Sequence, residues 1–248
     1  MLHVHRCPEG AGFEGRAQKA QQKVADKIRE HGRAALRSKD FSAIWKNFKP
    51  AFVAAQHGKC GYCEFDIAGN AHGDLEHYAP KVAYPELAYR WDNYLYACDV
   101  CNQVHKGDRF PTAAAPPPGA RPAVSLADGR FPLLLHPMDP DTDPADHLSF
   151  DEFGQISARD GSDRGWHTID VCALDRESLR TKRAELAAAT RARLAELEDC
   201  VARADQAGVK RVLAVIEDMG ARHRRFAGMV RAMFCQAMDT RWRDCFED

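Results

Sequence analysis

The sequences K-C-G-Y-C-E (residues 59–64) and Y-A-C-D-V-C-N (residues 96–102) decide the fold, because each contains a C-x-x-C pair. Cysteines paired in this way in a reduced cytosolic chain are more often metal ligands than disulfides. Four thiolates can close a tetrahedral zinc site with no open position, and such a site stabilises a small module whose own core is thin. The spacing therefore predicts a structural zinc site, and the alternative is four unrelated core cysteines. The predicted ligands are Cys60, Cys63, Cys98 and Cys101.

A second group of polar residues lies between and just after the two pairs, beginning with D-L-E-H-Y-A-P-K (residues 74–81). Glu76 and His77 are adjacent, so on a strand they point to opposite faces unless the chain twists or bulges there. Asn102 follows the last predicted zinc ligand, which fixes its position. A carboxylate and an amide oxygen suit a hard ion such as Mg²⁺, and a neutral imidazole can take a proton from water. Together with the zinc spacing, this group predicts metal-assisted hydrolysis. An isolated Glu-His pair would more often be two surface residues with no role in catalysis.

The composition is that of a folded chain, with 248 residues of which 45% are hydrophobic and 29% charged. These values exclude wholesale disorder. No apolar run approaches the roughly 18 residues that span a bilayer, and the first residues lack the apolar core of a signal peptide. We therefore expect a soluble cytoplasmic protein that does not contact a membrane.

The net charge of −1 conceals a segregation of charge along the chain. Residues 1–59 contain 12 basic and 5 acidic side chains, whereas residues 60–111 contain 4 and 8. Residues 112–175 contain 4 and 11, and residues 176–248 contain 15 and 12. Basic flanks beside an acidic centre suit a polyanion whose phosphates are met by metal ions at that centre. The alternative is that these charges only solvate helix faces.

Apolar spacing and turn residues predict a mostly helical α+β fold, in which a small metal-containing module is held between helical arms. The predicted division is a helical segment (residues 1–59), a zinc-containing module with an acidic loop (60–155) and a helical region (156–248). The aromatic side chains of Trp45, Phe48 and Phe52 recur at helical spacing and are assigned to the core. The predicted elements are helices at 14–36, 41–56, 178–219 (divided near Gly208) and 221–238, a strand at 131–135, and loops at 112–122 and 136–147.

Taken together, these motifs resemble those of the HNH endonucleases, also called ββα-metal nucleases, in the version with a zinc-binding C-x-x-C pair on each side of the motif. The resemblance depends on C-G-Y-C-E, L-E-H-Y-A-P-K, W-D-N-Y-L-Y-A-C-D-V-C-N and K-G-D-R-F-P, and it extends more loosely over residues 41–180. Within that superfamily the chain is most similar to the HNH component of retron and Septu-type anti-phage systems. The resemblance implies a ββα module with a four-cysteine zinc knuckle.

The resemblance also implies a role for each residue that matches the motif. His77 takes the place of the general base, and Glu76 that of an acidic metal ligand, where the family more often has Asp. Asn93 matches the residue that holds the loop of the catalytic histidine in register. Asn102 stands where the family has its last histidine or an asparagine ligand. Lys106 is placed to meet a phosphate, although a solvated charge is the alternative.

The function implied is metal-dependent hydrolysis of phosphodiester bonds, with Mg²⁺ or Mn²⁺ as the catalytic ion and Zn²⁺ as the structural one. DNA is the default substrate of the superfamily, and RNA stays open. Two alternatives remain at this point. One is a zinc-ribbon module that binds nucleic acid without cutting it, and the other is a nuclease toxin subunit that acts on RNA or tRNA and is gated by an ATPase partner.

Overall fold

The computed structural model of the chain describes residues 1–67, 73–116 and 124–238. Part of the predicted Pro- and Ala-rich loop, residues 117–122, lies outside these ranges, and so do residues 239–248 of the predicted C-terminal helical region. Cys245 is therefore not described. Within the described ranges no helix is both long enough and apolar enough to cross a membrane.

The fold combines six α-helices with three small antiparallel sheets of two strands each, as far as the described residues go. This confirms the prediction of a mostly helical α+β fold. The helices are α1 (Phe13–His31), α2 (Lys49–Ala55), α3 (Asp163–Cys172), α4 (Glu177–Ala202), α5 (Gln206–Met219) and α6 (Ala227–Ala237). The strands are β1 (Gly73–His77), β2 (Tyr94–Cys98), β3 (Thr112–Ala113), β4 (Phe131–Pro132), β5 (Leu148–Phe150) and β6 (Ile156–Ala158). A π-helical segment covers Val100–Lys106, and short 3₁₀ turns include Ile44–Phe48, Pro85–Leu87 and Trp91–Asn93.

Several predicted boundaries in the N-terminal half and the middle of the chain are wrong for local reasons. The first helix stops at His31 because Gly32 takes a φ of 77°, which ends the helical path. The second predicted helix divides into a 3₁₀ turn and α2, and Pro50 lies in the first turn of α2, where its missing N–H does no harm. The predicted strand at 131–135 is only β4, because the N–H of Leu135 leaves the sheet and bonds the Thr168 hydroxyl.

The C-terminal helices differ from the prediction in where they break. The long stretch divides at residues 203–205 and not at Gly208, because Ala204 takes a φ of 55° and Asp205 caps α5. The Asp205 carboxylate accepts the N–H of Gly208 at 2.9 Å. The last helix begins at Ala227 and not at 221, because Phe226 has a φ of 56° and residues 221–226 form turns.

One hydrophobic core contains residues from all three of the predicted segments. The aromatic side chains assigned to the core, Trp45 and Phe52, are buried there, and Phe48 packs against them half-buried. A smaller cluster lies where α4, α5 and α6 meet, and it contains Leu194, Leu197, Cys200, Val212, Ile216 and Phe234. The C-terminal helices therefore pack through two separate apolar clusters.

The β1–β2 hairpin and the π-helical segment form the unit that positions the candidate site. β1 and β2 pair in regular antiparallel register, with Glu76 opposite Leu95 and His77 opposite Tyr94. The π-helical segment follows β2 after Asp99 and packs back on it, while α2 covers the hairpin and α3 covers the segment. One helix that precedes the hairpin in the chain and one that follows it therefore pack against this small unit.

Burial of His136 makes the stability of the fold depend on pH. Burial lowers the pKa of His136 to about 3, and its Nδ1 accepts the N–H of Met138. Because the unfolded state takes up this proton near pH 6.5 and the folded state does not, stability falls as the pH drops from about 6.5 towards 3. We expect His136→Asn, whose amide oxygen can accept the same bond, to remove about 2 kcal/mol of this loss at pH 5.

The measurement is urea unfolding of wild type and His136→Asn at several pH values between 7 and 4. The control is His5→Asn, which changes an exposed histidine. Equal pH slopes for wild type and His136→Asn would show that His136 does not carry this dependence.

Candidate active site and metal centre

The four predicted zinc ligands meet in one buried cluster. The sulfur atoms of Cys60, Cys63, Cys98 and Cys101 all lie within 4.8 Å of one another. A tetrahedral zinc ion with Zn–S bonds of about 2.3 Å would separate its sulfur atoms by about 3.8 Å, so a small contraction would complete the site. Four thiols are also the donor set that zinc prefers in closed structural sites. The cluster therefore fits Zn²⁺.

Local backbone contacts bring the two halves of the cluster together. The N–H of Cys60 bonds the carbonyl of Phe65 at 3.0 Å, and the N–H of Gly61 bonds the carbonyl of Tyr96 at 2.9 Å. A Cβ on Gly61 would meet a Leu95 methyl at 2.9 Å, so glycine lets the loop approach β2 closely without displacing that side chain. The knuckle loop is thus held directly against the strand that ends in Cys98.

Arginine side chains from the C-terminal region supply positive charge beside the cluster. Arg176 donates to the sulfur of Cys101 at 3.4 Å and to the carbonyl of Ala173 at 3.1 Å. Arg183 on α4 is buried, and its guanidinium lies over the ring of Phe226 and bonds the carbonyl of Leu174. Hydrogen bonds to ligating atoms orient a metal site and tune its affinity. The sequence analysis missed Arg176, because its distance along the chain from Cys101 gives no signal.

Glu76 and His77 point to opposite faces of β1, because the strand is regular. The Oε1 atom of Glu76 accepts a hydrogen bond from the Tyr62 hydroxyl at 2.7 Å and lies 2.9 Å from the Nζ of Lys106. Its Oε2 atom is buried and has no hydrogen-bond partner among the described residues. Burial raises the pKa of Glu76, and the Lys106 ammonium and the Tyr62 hydroxyl oppose this shift.

Lys106 was predicted to contact a phosphate, but in the structure its side chain is buried against β1. The side chain of Lys106 is 1% exposed, and besides Glu76 it donates to the carbonyl of His77 at 3.3 Å. A contact between Lys106 and a phosphate would therefore require the buried ion pair to open.

His77 is held in one orientation by its neighbours. Its Nε2 lies 3.0 Å from the carbonyl of Ala88, and because a carbonyl only accepts, Nε2 carries the proton. The ring packs edge-on against Trp45 with 4.4 Å between ring centroids. Burial, with a smaller contribution from the charge of Lys81, lowers the pKa of His77 to about 3, so the imidazole is neutral at pH 7. Its Nδ1 then has a lone pair, and no described residue bonds it.

Asn93 closes the loop that follows His77. It is fully buried, and its side chain accepts from the N–H of Ala79 at 2.7 Å. The same amide donates to the carbonyl of Ala79 at 3.1 Å and to that of Leu87 at 3.0 Å. Three hydrogen bonds from one side chain therefore fix the segment that also presents the carbonyl of Ala88 to His77.

A cleft of about 460 Å³ brings together three of the predicted site residues, Glu76, His77 and Asn102. Asn93 and Lys106 are buried and do not line its wall. Trp45 and Lys81 do line it, although the sequence analysis gave Trp45 only a place in the core and Lys81 no role. The sequence could have indicated Lys81 as a site residue, because Lys81 follows His77 by four residues within the quoted motif.

The cleft does not hold a complete set of protein ligands for a metal ion. Among the described residues, only the four-cysteine cluster brings three or more His, Cys, Asp or Glu ligand atoms close enough together for one ion. Two residues that line the cleft carry oxygen donors: Glu76, whose buried Oε2 has no described hydrogen-bond partner, and Asn102. An ion bound there would keep several water ligands, as Mg²⁺ usually does in proteins. The donor chemistry thus fits a hard divalent ion held by few protein ligands.

Comparison with known proteins shows similarity to two curated proteins. The chain is similar to Septu protein PtuB of Bacillus mycoides (strain KBAB4), with 36% identity over 144 residues, which is 53% of this chain and 48% of that protein. It is also similar to Septu protein PtuB of Bacillus thuringiensis, with 33% identity over 64 residues, or 25% of each protein. The chain thus spans about half the length of the first relative and a quarter of the second. No protein-family profile matches it.

The contact between Arg176 and Cys101 leads to a prediction about zinc binding. We expect one zinc ion per chain, lost in Cys98→Ser, and a zinc Kd raised about tenfold in Arg176→Met, because the N–H···S contact orients the ligand. Competition with a chromogenic chelator measures both values. Arg180→Met, an exposed arginine in the first turns of α4, is the control. Equal zinc affinity in wild type and Arg176→Met would contradict the prediction.

The buried bonds of Asn93 lead to a second prediction. Asn93→Ala leaves the N–H of Ala79 and two carbonyls without partners, so we expect the free energy of unfolding to fall by about 3 kcal/mol. Urea unfolding measures this, with Asn47→Ala as an exposed control of the same residue type. A loss no larger than that of Asn47→Ala would show that water replaces the three bonds.

Proposed function

We propose that this protein is a metal-dependent endonuclease of the HNH class that hydrolyses phosphodiester bonds of nucleic acid in the cytoplasm, in anti-phage defence. One observation carries the proposal: an oriented His77, a Glu76 with one buried oxygen that has no described partner, and Asn102 all line one cleft, in a fold that also holds a four-cysteine cluster. β1 supplies Glu76 and His77 and the π-helical segment supplies Asn102, and this order agrees with the one that the resemblance to the ββα-metal nucleases implies.

The similarity to two Septu proteins supports the place of this proposal in anti-phage defence. Because the chain spans only about half the length of the first relative, the activity and partners of that whole protein are carried over here as proposals. An ATPase partner of the Septu or retron type is one of them. A zinc-stabilised module beside long C-terminal helices is compatible with such an assembly.

In the proposed reaction, His77 acts as the general base and takes the proton of the attacking water on Nδ1. The carbonyl of Ala88 accepts from Nε2–H and stabilises the imidazolium that forms. Asn93 keeps that carbonyl in place, because it bonds the neighbouring Leu87. A divalent ion held by Glu76 and Asn102 would neutralise the charge that develops on the phosphate and the leaving oxygen.

The contact between Glu76 and Lys106 leaves one oxygen of the Glu76 carboxylate without a partner, and this oxygen could bind an ion. Tyr62 and Lys106 occupy one oxygen of the Glu76 carboxylate and favour its charged form, while the other oxygen stays available. Mg²⁺ and Mn²⁺ both accept this donor chemistry, and Zn²⁺ stays with the cysteines. DNA is the proposed substrate, and the basic residues 1–59 provide attraction for any polyphosphate.

A cleavage assay with zinc-loaded protein tests the proposal. Wild type and His77→Ala are offered plasmid DNA, single-stranded DNA and bulk tRNA with Mg²⁺, Mn²⁺ or no added ion. Because a general base contributes about 10²–10⁴-fold, we expect His77→Ala to cut at least a hundredfold more slowly. His223→Ala, an exposed histidine outside the cleft, is the control and should cut like wild type.

Each other outcome selects another function. Cutting of tRNA but not DNA would favour the toxin subunit, and cutting that appears only with an ATPase partner would favour the gated enzyme. Binding without cleavage, with or without a partner, would leave the zinc-ribbon binding module. Cleavage at the wild-type rate by His77→Ala would refute the assignment of the base.

A further inference from the structure

We propose that Lys81, and not Lys106, is the cation of the cleft that contacts a backbone phosphate of the nucleic acid. This inference rests on the proposed function, because it assigns the binding of the substrate at the same site. Its starting point is the difference between two lysines of the motif. Lys106 is buried and paired with Glu76, whereas Lys81 is half-buried and lines the cleft.

The ammonium group of Lys81 is positioned by aromatic rings. Its Nζ lies 4.7 Å from the ring centroid of Trp45 and 5.9 Å from that of Phe41. A cation over an aromatic face is attracted to it, and this attraction leaves the N–H groups on the other side unoccupied. Lys81 has no ion pair at salt-bridge distance with a residue of the described ranges, although the carboxylates of Asp74 and Asp108 are near enough to interact with it. The ammonium group is therefore oriented by the rings and not held in an ion pair.

The same indole ring also holds the proposed general base. His77 packs edge-on against Trp45 with 4.4 Å between centroids, and Lys81 lies 4.7 Å from that ring. Both side chains line one cleft with Glu76 and Asn102. A phosphate bound to the ammonium of Lys81 would thus be held beside His77 and the proposed metal ligands.

Hydrogen bonds also fix the backbone that precedes Lys81. The N–H of Ala79 bonds Asn93, and the carbonyl of Pro80 accepts the N–H of Tyr84 at 2.8 Å. Pro80 itself is buried and has a restricted φ. Because little freedom remains to be lost on binding, a contact made by Lys81 is pre-organised.

The remaining charges of the cleft are less suited to this role. Lys46 lines the cleft but is exposed, and no described aromatic ring packs against its ammonium group. Asp74 and Asp108 lie in the same cleft and would repel a phosphate. Lys81 is therefore the cation through which this acidic surface can attract a polyanion at the reacting position.

Salt-dependent binding tests the proposal without any need for cleavage. Every protein carries His77→Ala and no Mg²⁺ or Mn²⁺ is added, so that cleavage is suppressed, and the probes are fluorescein-labelled 30-nucleotide duplex DNA, the single strand and tRNA. Anisotropy gives the Kd at several salt concentrations. For the tightest probe, we expect Lys81→Met to raise the Kd about tenfold and to reduce the salt slope by about 0.9, since each phosphate contact releases its counterions. Lys81→Arg should retain most of the slope.

Lys49→Met is a matched control, because Lys49 also lies over an aromatic ring, 5.6 Å from the centroid of Tyr96, but outside the cleft. It should bind within twofold of its parent. Zinc content and melting temperature show that each variant is folded. A Lys81→Met variant with an unchanged Kd and slope would overturn the proposal, as would equal losses in Lys49→Met or a parent that binds none of the probes.

The result separates this inference from the proposed nuclease function. If wild type fails to cut but Lys81→Met loses the salt slope, the nuclease proposal fails and the phosphate contact stands. If wild type cuts and Lys81→Met keeps the slope, the contact fails and the nuclease stands. A purely structural role of Lys81 would lower the melting temperature without changing the salt slope.

Discussion

Four buried cysteine side chains meet at one point, and the rest of the structure depends on that constraint. They come from a loop and, 34 residues further on, from the end of β2 and the π-helical segment. The cluster fixes the hairpin relative to that segment, and with it the position of Asn102 relative to Glu76. Tyr62, inside the first C-x-x-C pair, donates a hydrogen bond to Glu76 directly. The cleft thus takes its geometry from the four-cysteine cluster and not from a large sheet.

The polar side chains at the cleft are held in two different ways. Glu76 and Lys106 are buried and form an ion pair, and removing either would leave an uncompensated charge at a cost of about 3–5 kcal/mol. His77 and Lys81 instead pack against the indole of Trp45, and both line the cleft. The buried ion pair and the aromatic packing together keep these side chains in fixed positions.

The predictions that depended on local chemistry succeeded best. The C-x-x-C spacing identified the four-cysteine cluster, and helical spacing identified the core side chains of Trp45 and Phe52. Boundaries were harder, because they depend on single residues in positive φ, such as Ala204, which no periodicity reveals. The burial of Lys106 could not be predicted, because a lysine beside a motif looks the same whether it faces solvent or a carboxylate. Contacts across long separations, such as that of Arg176, need the fold.

The contact of Arg176 with Cys101 connects the C-terminal helices mechanically to the four-cysteine cluster. Arg176 lies immediately before α4, whose 26 residues make a rod about 39 Å long. The near end of this rod is anchored on the sulfur of Cys101 through Arg176, and its far end packs with α5 and α6. A force applied to the far end by a bound protein would therefore be transmitted along α4 to the four-cysteine cluster.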